Sequence, residues 1–273
     1  MIKTRISGSG SADDTQLLSL LETVSREIEG RKATNRKFFV KTAAIPFTLR
    51  EDCSSFLVPD LVSVTSFDED AVLSGSYDTP WAVTDYILKP YDAEPTARDG
   101  TPYTEVEVDV NAGTYSKFYT GQRRYRITGK WGYCDYTVAT GSVLSAALTD
   151  TTGTELNVAD VSKLEAGWTL LIDNEQMYVS KIGNKVTVER GVNGTTAATH
   201  VISSTIKRYV YPGPIVEATL MQASRLWTRR LSGYAANVGL SETGQLFPLQ
   251  GFDKDVQELF WPYRKYNRTL GVV

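Results

Sequence analysis

Hydrophobic and polar positions alternate most cleanly in the stretch Arg123-Arg124-Tyr125-Arg126-Ile127-Thr128-Gly129-Lys130-Trp131-Gly132-Tyr133. With the period of two of an extended chain, Tyr125, Ile127, Trp131 and Tyr133 share one side with Gly129, and Arg124, Arg126, Thr128 and Lys130 share the other. The pattern predicts a half-buried strand in the middle of the fold, because burying each large apolar side chain contributes about 1.5–3 kcal/mol. A second alternation, Glu105-Val106-Glu107-Val108-Asp109-Val110, turns three valines inward and leaves an acidic outer row. That row is read as a solvated face opposite a basic neighbour such as Arg124 and Arg126. Further strands are expected at 38–40, 43–49, 57–67 and 85–88, and a loop rich in Pro, Asp and Gly at 90–102.

Two segments carry the helical period instead. Leu17, Leu21, Val24 and Ile28 stand at i, i+4, i+7 and i+11, with Asp13, Asp14 or Thr15 available as a cap and Gly30 as a stop. After Pro212-Gly213-Pro214, a helix over 215–230 repeats that spacing with Val216, Leu220, Ala223 and Trp227. The two helices are expected to pack on each other or on the sheet. A shorter helix over 253–260 is stopped by Pro262, and 232–251 is irregular.

Between 141 and 207 the chain changes character. Short apolar runs at Leu156-Asn157-Val158, Thr169-Leu170-Leu171-Ile172, Met177-Tyr178-Val179 and Val186-Thr187-Val188 are separated by turns such as Gly183-Asn184, and a Gly-rich loop leads up to His200. A module of this size is expected to have little core of its own and to lean on a neighbour or on another subunit. The expected fold is therefore α+β: helices packed with an antiparallel β region in a discontinuous core of residues 1–140 and 208–273, plus an inserted small all-β domain at 141–207.

Composition changes this picture little. The 273 residues, 41% of them hydrophobic, can bury one large core or two modest ones, and a net charge of -3 gives no reason to expect a general nucleic-acid binder. Cys53 and Cys134 are far apart and outside any Cys-x-x-Cys motif, so reduced thiols of a cytoplasmic-type product are expected. No apolar run is long enough to span a bilayer, and Met1-Ile2-Lys3-Thr4-Arg5 leads into Ser and Gly rather than a signal core.

The single histidine, His200, has no Gly-x-Ser-x-Gly elbow to serve, and Gly8-x-Gly10 and Gly191-x-x-Gly194 lack the Lys-Ser/Thr of a phosphate loop. Asp173-Asn174-Glu175 reads as a hairpin turn rather than a calcium loop. No catalytic, cofactor or metal site is expected, and the chain is read as not an enzyme. The candidates that remain are contact residues. Arg123, Arg124, Arg126 and Lys130 form a basic row that could touch DNA or another subunit. Trp261, Tyr263, Arg264, Tyr266 and Arg268 form an aromatic and basic tail of the residue types enriched at interface hot spots.

In their order and spacing, the early helix at 17–31, the run Leu57-Val58-Pro59-Asp60-Leu61-Val62-Ser63-Val64-Thr65-Ser66, Asp85-Tyr86-Ile87-Leu88, the valine-rich 105–110, Ile127-Thr128-Gly129-Lys130-Trp131-Gly132-Tyr133, the late helix with Leu226-Trp227-Thr228-Arg229-Arg230, and Pro262-Tyr263-Arg264 resemble the head-tail connector (adaptor) proteins of long-tailed bacteriophages. The 141–207 insertion departs from that pattern and is similar to small β-modules of other phage structural proteins, through Arg190-Gly191 and Gly194-Thr195 up to His200. The resemblance implies a virion neck protein, assembled in the host cytoplasm, that forms a dodecameric ring beneath the portal protein and extends the channel through which genomic DNA passes without sequence-specific binding. It also implies a platform for the stopper, head-completion or tail-completion protein, with the C-terminal segment 251–273 docking on the portal. The alternative is a tail- or neck-associated binding module whose β insertion recognises a glycan or another virion protein.

Overall fold

The computed structural model describes residues 14–230, 237–239, 246–248 and 251–265, with the main chain alone at 230, 237–239 and 246–248. The chain divides into two compact units, the larger built from Lys37–Tyr211 and the smaller, among the described residues, from 14–36 and 212–265.

In the larger unit β1 (Lys41–Leu49), β2 (Ser55–Glu69), β3 (Thr79–Pro80), β4 (Tyr86–Lys89), β5 (Tyr103–Val108) and β6 (Gly121–Trp131) form an antiparallel sheet of order β1-β6-β2-β5-β4, with β3 on the end of β2. The alternating stretch is thus β6, second from one edge and paired on both sides. Ile127 stands opposite Ile45 of β1 and Phe67 of β2, and Tyr125 opposite Phe47 and Glu69. Tyr125, Ile127 and Trp131 are buried, as their parity predicts.

They join a core of rings. Phe118 lies 4.8 Å from Phe56 and 4.9 Å from Trp81 between centroids, and Trp81 lies 5.2 Å from Phe67. Gly129 interrupts the apolar side because β2 comes too close there: a Cβ at this position would sit 2.1 Å from the Ser63 carbonyl oxygen. Tyr133 leaves the pattern, since the strand ends at Trp131 and the ring instead packs 5.5 Å from Phe38. Val110 also departs from its expected inward position. It lies past the end of β5 and is 62% exposed, while Val106 and Val108 are buried.

The second sheet comprises β7 (Thr137–Val143), β8 (Glu155–Leu156), β9 (Thr169–Ile172), β10 (Glu175–Ile182), β11 (Val186–Glu189) and β12 (Thr205–Tyr209), in the order β7-β12-β9-β10-β11-β8. Every apolar run noted between 156 and 188 contributes to a strand here. The sheet has a contiguous core of Leu144, Leu156, Leu170, Ile172, Met177, Val179, Val186 and Ile206, so the expectation that it has little core of its own is corrected. It also leans on the first sheet's segments. Tyr209 packs with Val40 and Val62, and the Gln176 side-chain amide donates to the Val40 carbonyl at 3.0 Å.

That contact covers an edge. In an extended strand, carbonyls two residues apart point the same way, so the outward carbonyl of Val40 sets Thr42, Ala44 and Pro46 outward as well. Gly194 lies so close to the Thr42 carbonyl that a Cβ would stand 2.3 Å from its oxygen, and Pro46 brings no N–H to the edge. Between them, the loop and the proline blunt β1.

The smaller unit holds α1 (Asp14–Ile28), α2 (Gly213–Arg230) and α3 (Lys254–Phe260), with α2 in contact with both of the others. α1 buries Leu17, Val24 and Ile28. Beyond it Gly30 turns the chain, its amide bonded to Glu27, and the buried Thr34 donates both its amide and its hydroxyl to the Ile28 carbonyl. In α2 the buried residues are Ile215, Ala218, Leu220, Gln222, Ala223 and Trp227, while Val216 is exposed, so the packed face is rotated from the expected stripe. β13 (Asn237–Gly239) and β14 (Leu246–Pro248) pair within the stretch expected to be irregular.

The α+β expectation is overturned. The protein is mostly β, with two antiparallel sheets of six strands each and, among the described residues, three α-helices of 15, 18 and 7 residues. The physical reason lies in strand pairing. The insertion, treated as an appendage, contributes a sheet as large as the first, and in the smaller unit α2 packs with α1 and α3.

Candidate functional site

Three of the four cations in the basic row on β6 are paired with acids. Arg124 Nε meets Glu69 Oε1 at 2.7 Å, and Arg126 Nη2 meets Asp68 Oδ2 at 3.4 Å with its guanidinium 4.2 Å above the Tyr77 ring. Lys130 Nζ meets Asp135 Oδ2 at 2.7 Å. The acidic row of β5 is therefore not the partner of Arg124 and Arg126, since β2 lies between β5 and β6; Glu107 pairs instead with Lys89 of β4. Glu69 is itself buried and also accepts from Trp81 Nε1 at 3.0 Å, which ties the charge pair into the aromatic core.

Arg123 stands apart from the row. Between Phe47 and Leu49 of β1 the facing residues of β6 jump from Tyr125 to Gly121, so the chain bulges at Gln122 and Arg123. The bulge is pinned on both flanks: the Arg123 amide donates to Thr48 Oγ1 at 2.9 Å, and its carbonyl accepts from the Tyr77 hydroxyl at 2.7 Å. Arg123 is left-handed, with φ of 52°, and exposed. Across from it Leu73 has φ of 56° and is 52% exposed. A left-handed backbone costs a side chain of this kind about 1–2 kcal/mol. Leu73 and Arg123, with Asp70, Gly75, Tyr77 and Gln122, line a shallow recess of about 300 Å³. Among these Asp70 is buried, and its carboxylate accepts the amides of Ser74 and Gly75 at 2.9 and 2.6 Å. Sequence periodicity gives no sign of this site; the left-handed residues and the bulge appear only with the register.

At the C-terminal end, Trp261 begins a 3-10 turn (Trp261–Tyr263) directly after α3 and is 52% exposed. The Arg264 guanidinium lies 5.2 Å from its ring centroid, and Tyr263 is half-buried. The amide of Lys265 bonds back to Thr34 at 2.8 Å, which fixes the chain after the turn to the segment following α1. Tyr266 and Arg268 lie outside the described residues.

His200 is structural in its surroundings. Its Nδ1 lies 2.7 Å from Asp173 Oδ2 and its Nε2 2.9 Å from Glu175 Oε2. Glu175, whose side chain is wholly buried, also takes a two-pronged bond from Arg190, at 2.6 Å from Nε and 2.8 Å from Nη2, and accepts the amides of Gly191 and Ala198. Arg190 in turn donates to the carbonyls of Gly153 and Ala198. Burial works against ionisation of Glu175, but Arg190, the Ala198 amide and His200 overcome it and hold its carboxyl at about 2.

The result is a clasp that closes the loop between β11 and His200. Asn193 on that loop donates to Gln176 at 2.9 Å, so the clasp also sets the cover over the β1 edge. Asp173-Asn174 forms the two-residue turn between β9 and β10, as expected from the sequence. Among the described residues no group of three or more His, Cys, Asp or Glu side chains is placed to hold a metal ion, and no helix is long and apolar enough to cross a membrane. No protein family, no curated protein and no solved structure matches the chain.

Proposed function

We propose that this chain is a structural head-tail connector (adaptor) of a tailed bacteriophage, a non-enzymatic subunit of a ring beneath the portal that extends the DNA channel and joins the head to the stopper or tail proteins. The reading rests on the motif order described above. The observation that carries it is the end of α3, where Trp261, half exposed and roofed by Arg264, is presented from a short turn instead of being folded into a core. An aromatic ring with an arginine above it, on a turn anchored to the residues after α1, has the composition of an interface anchor and suits a segment that docks on a portal. The pairing of Arg124, Arg126 and Lys130 with carboxylates accords with a channel wall that lets DNA slide without gripping it.

A second reading, a neck- or tail-associated binding module, is favoured by one feature of the second sheet. Val201 and Ile202, 72% and 59% exposed, form an apolar tip directly after the clasped His200.

The test is the mass of the purified protein, alone and mixed with the portal of its phage, by light scattering or native mass spectrometry. A ring, or a monomer that becomes a ring on the portal and loses that ability in Trp261→Ala, is the expected result. A stable monomer that ignores the portal overturns the connector reading and directs attention to the Val201-Ile202 tip.

A further inference from the structure

Resting on the connector reading, we infer that the turns after α1 and α3 form one cationic docking surface for an acidic face of the portal, with Trp261 as its apolar anchor. A local charge excess, in a chain whose net charge is -3, is the first ground. Residues 30–36 hold Arg31, Lys32 and Arg36, residues 259–265 hold Arg264 and Lys265, and neither segment contains an acid. The fold brings the two segments together. The Gly30 carbonyl accepts the amides of Ala33 and Asn35, each at 3.0 Å, which closes the first segment into a tight turn, and the Lys265 amide donates to the Thr34 carbonyl at 2.8 Å. Cations after a helix offset its dipole, which accounts for one or two at the end of each helix but not for the joining of the two groups. Like charges gathered this way oppose folding.

Exposure and chemistry then select the occupant. Arg31 and Lys32 are exposed and have no acidic partner among the described residues, while Glu29, the acid next before them, is taken by Arg26 at 2.8 Å. Trp261 is 52% exposed, with the Arg264 guanidinium 5.2 Å from its ring centroid. A nucleic-acid strand is held by cations set along its track and by several stacked rings. Here Trp261 is the one exposed aromatic among the described residues of the smaller unit, and the cations gather about a tight turn. A single indole that can fill an apolar pocket, beside cations that carboxylates complement, fits a protein face.

The test is the binding of the full chain to the purified portal of its phage, followed by bio-layer interferometry at about 50 and about 300 mM NaCl. Association is expected to slow at least about tenfold over that range. The double variant Arg31→Gln, Lys32→Gln is expected to associate about threefold more slowly at the lower salt, with its dissociation rate and unfolding midpoint unchanged. Trp261→Ala is expected to dissociate faster instead. Portal binding that is indifferent to salt, or equally fast in the double variant, overturns the acidic face and leaves the connector reading standing. A portal that is not bound at all overturns both. An oligothymidylate that displaces the portal from the chain overturns the inference by assigning the cations to nucleic acid. A double variant with a lowered unfolding midpoint also overturns it, by showing that the two cations serve the fold.

Discussion

Replacing Glu175 by glutamine should cost the second sheet several kcal/mol at neutral pH and almost nothing in acid. The wild-type carboxyl is wholly buried and held at about 2, against an ordinary value of 4.5. A carboxyl depressed on folding contributes stability that is fully present above its unfolded value and is lost as pH falls from there through the folded value. The drop from 4.5 to about 2 corresponds to about 3 kcal/mol at about 1.36 kcal/mol per pH unit. An independent figure agrees, because removing one partner of a buried ion pair costs about 3–5 kcal/mol. The glutamine side chain resembles the protonated acid in shape and charge, so wild type and Glu175→Gln should differ by about 3 kcal/mol at pH 7 and converge near pH 2. The assay is urea unfolding followed at Trp168, which packs against the second sheet's core, by fluorine NMR of the 5-fluorotryptophan-labelled chain. A penalty of the same size at pH 7 and pH 2 would refute the argument, since the destabilisation would then be steric; a penalty under about 1 kcal/mol at pH 7 would show that the clasp is no stronger than a surface pair.

Three further outcomes follow from the same geometry. Gly194→Ala combines a φ of 79° with a Cβ 2.3 Å from the Thr42 oxygen, so it should lower stability by about 1–3 kcal/mol and speed hydrogen exchange of the amides over 191–198. Arg124→Ala leaves the buried Glu69 without its cation and should cost roughly 2–4 kcal/mol in chemical denaturation, whereas Lys130→Ala, whose partner pair is partly solvated, should cost under about 1 kcal/mol. Pro46→Thr restores an N–H on the free edge of β1 and should raise concentration-dependent self-association in light scattering without lowering the unfolding midpoint; an unchanged mass at high concentration would show that the loop at 192–194 alone protects the edge.

The parts of the fold legible in the sequence are those set by local period. The inward set Tyr125, Ile127 and Trp131 follows from alternation alone, and α1 and α2 lie where their apolar spacing puts them. Pairing is a non-local matter, and local period does not reach it. Nothing in Glu105-Val106-Glu107 says that its neighbours are β2 and β4, so matching those acids with Arg124 and Arg126 fails: the partners of the arginines are Glu69 and Asp68, in a strand ordered between them. The expected fold class fails for a related reason. Whether a long run of short apolar segments is an appendage or half of the architecture depends on how many of them join one sheet, and all of them do.

The candidate sites show the same division between chemistry that announces itself by residue type and chemistry created by juxtaposition. Trp261 and Arg264 are conspicuous in the sequence because aromatic and basic residues cluster in a short tail, and they do meet, ring under guanidinium. His200 is conspicuous as the single histidine, yet its role follows from Glu175 and Arg190, two ordinary charged residues until β10 and the clasped loop bury them together. Arg123 belongs by composition to a row of four cations, but only Arg124, Arg126 and Lys130 share a strand parity; Arg123 is an odd position and lies in the bulge beside them. A bulge of this kind is fixed by its pins, Thr48 on one flank and Tyr77 on the other, 75 and 46 residues away in the chain. Replacing both pins, Thr48→Ala with Tyr77→Phe, should let the bulge relax and remove the left-handed turn at Arg123 while the ladder between Tyr125 and Trp131 persists, an outcome that residual dipolar couplings along β6 would read directly. A bulge that survives the loss of both would mean that the sheet's own twist, and not these two hydroxyls, holds Arg123 outward.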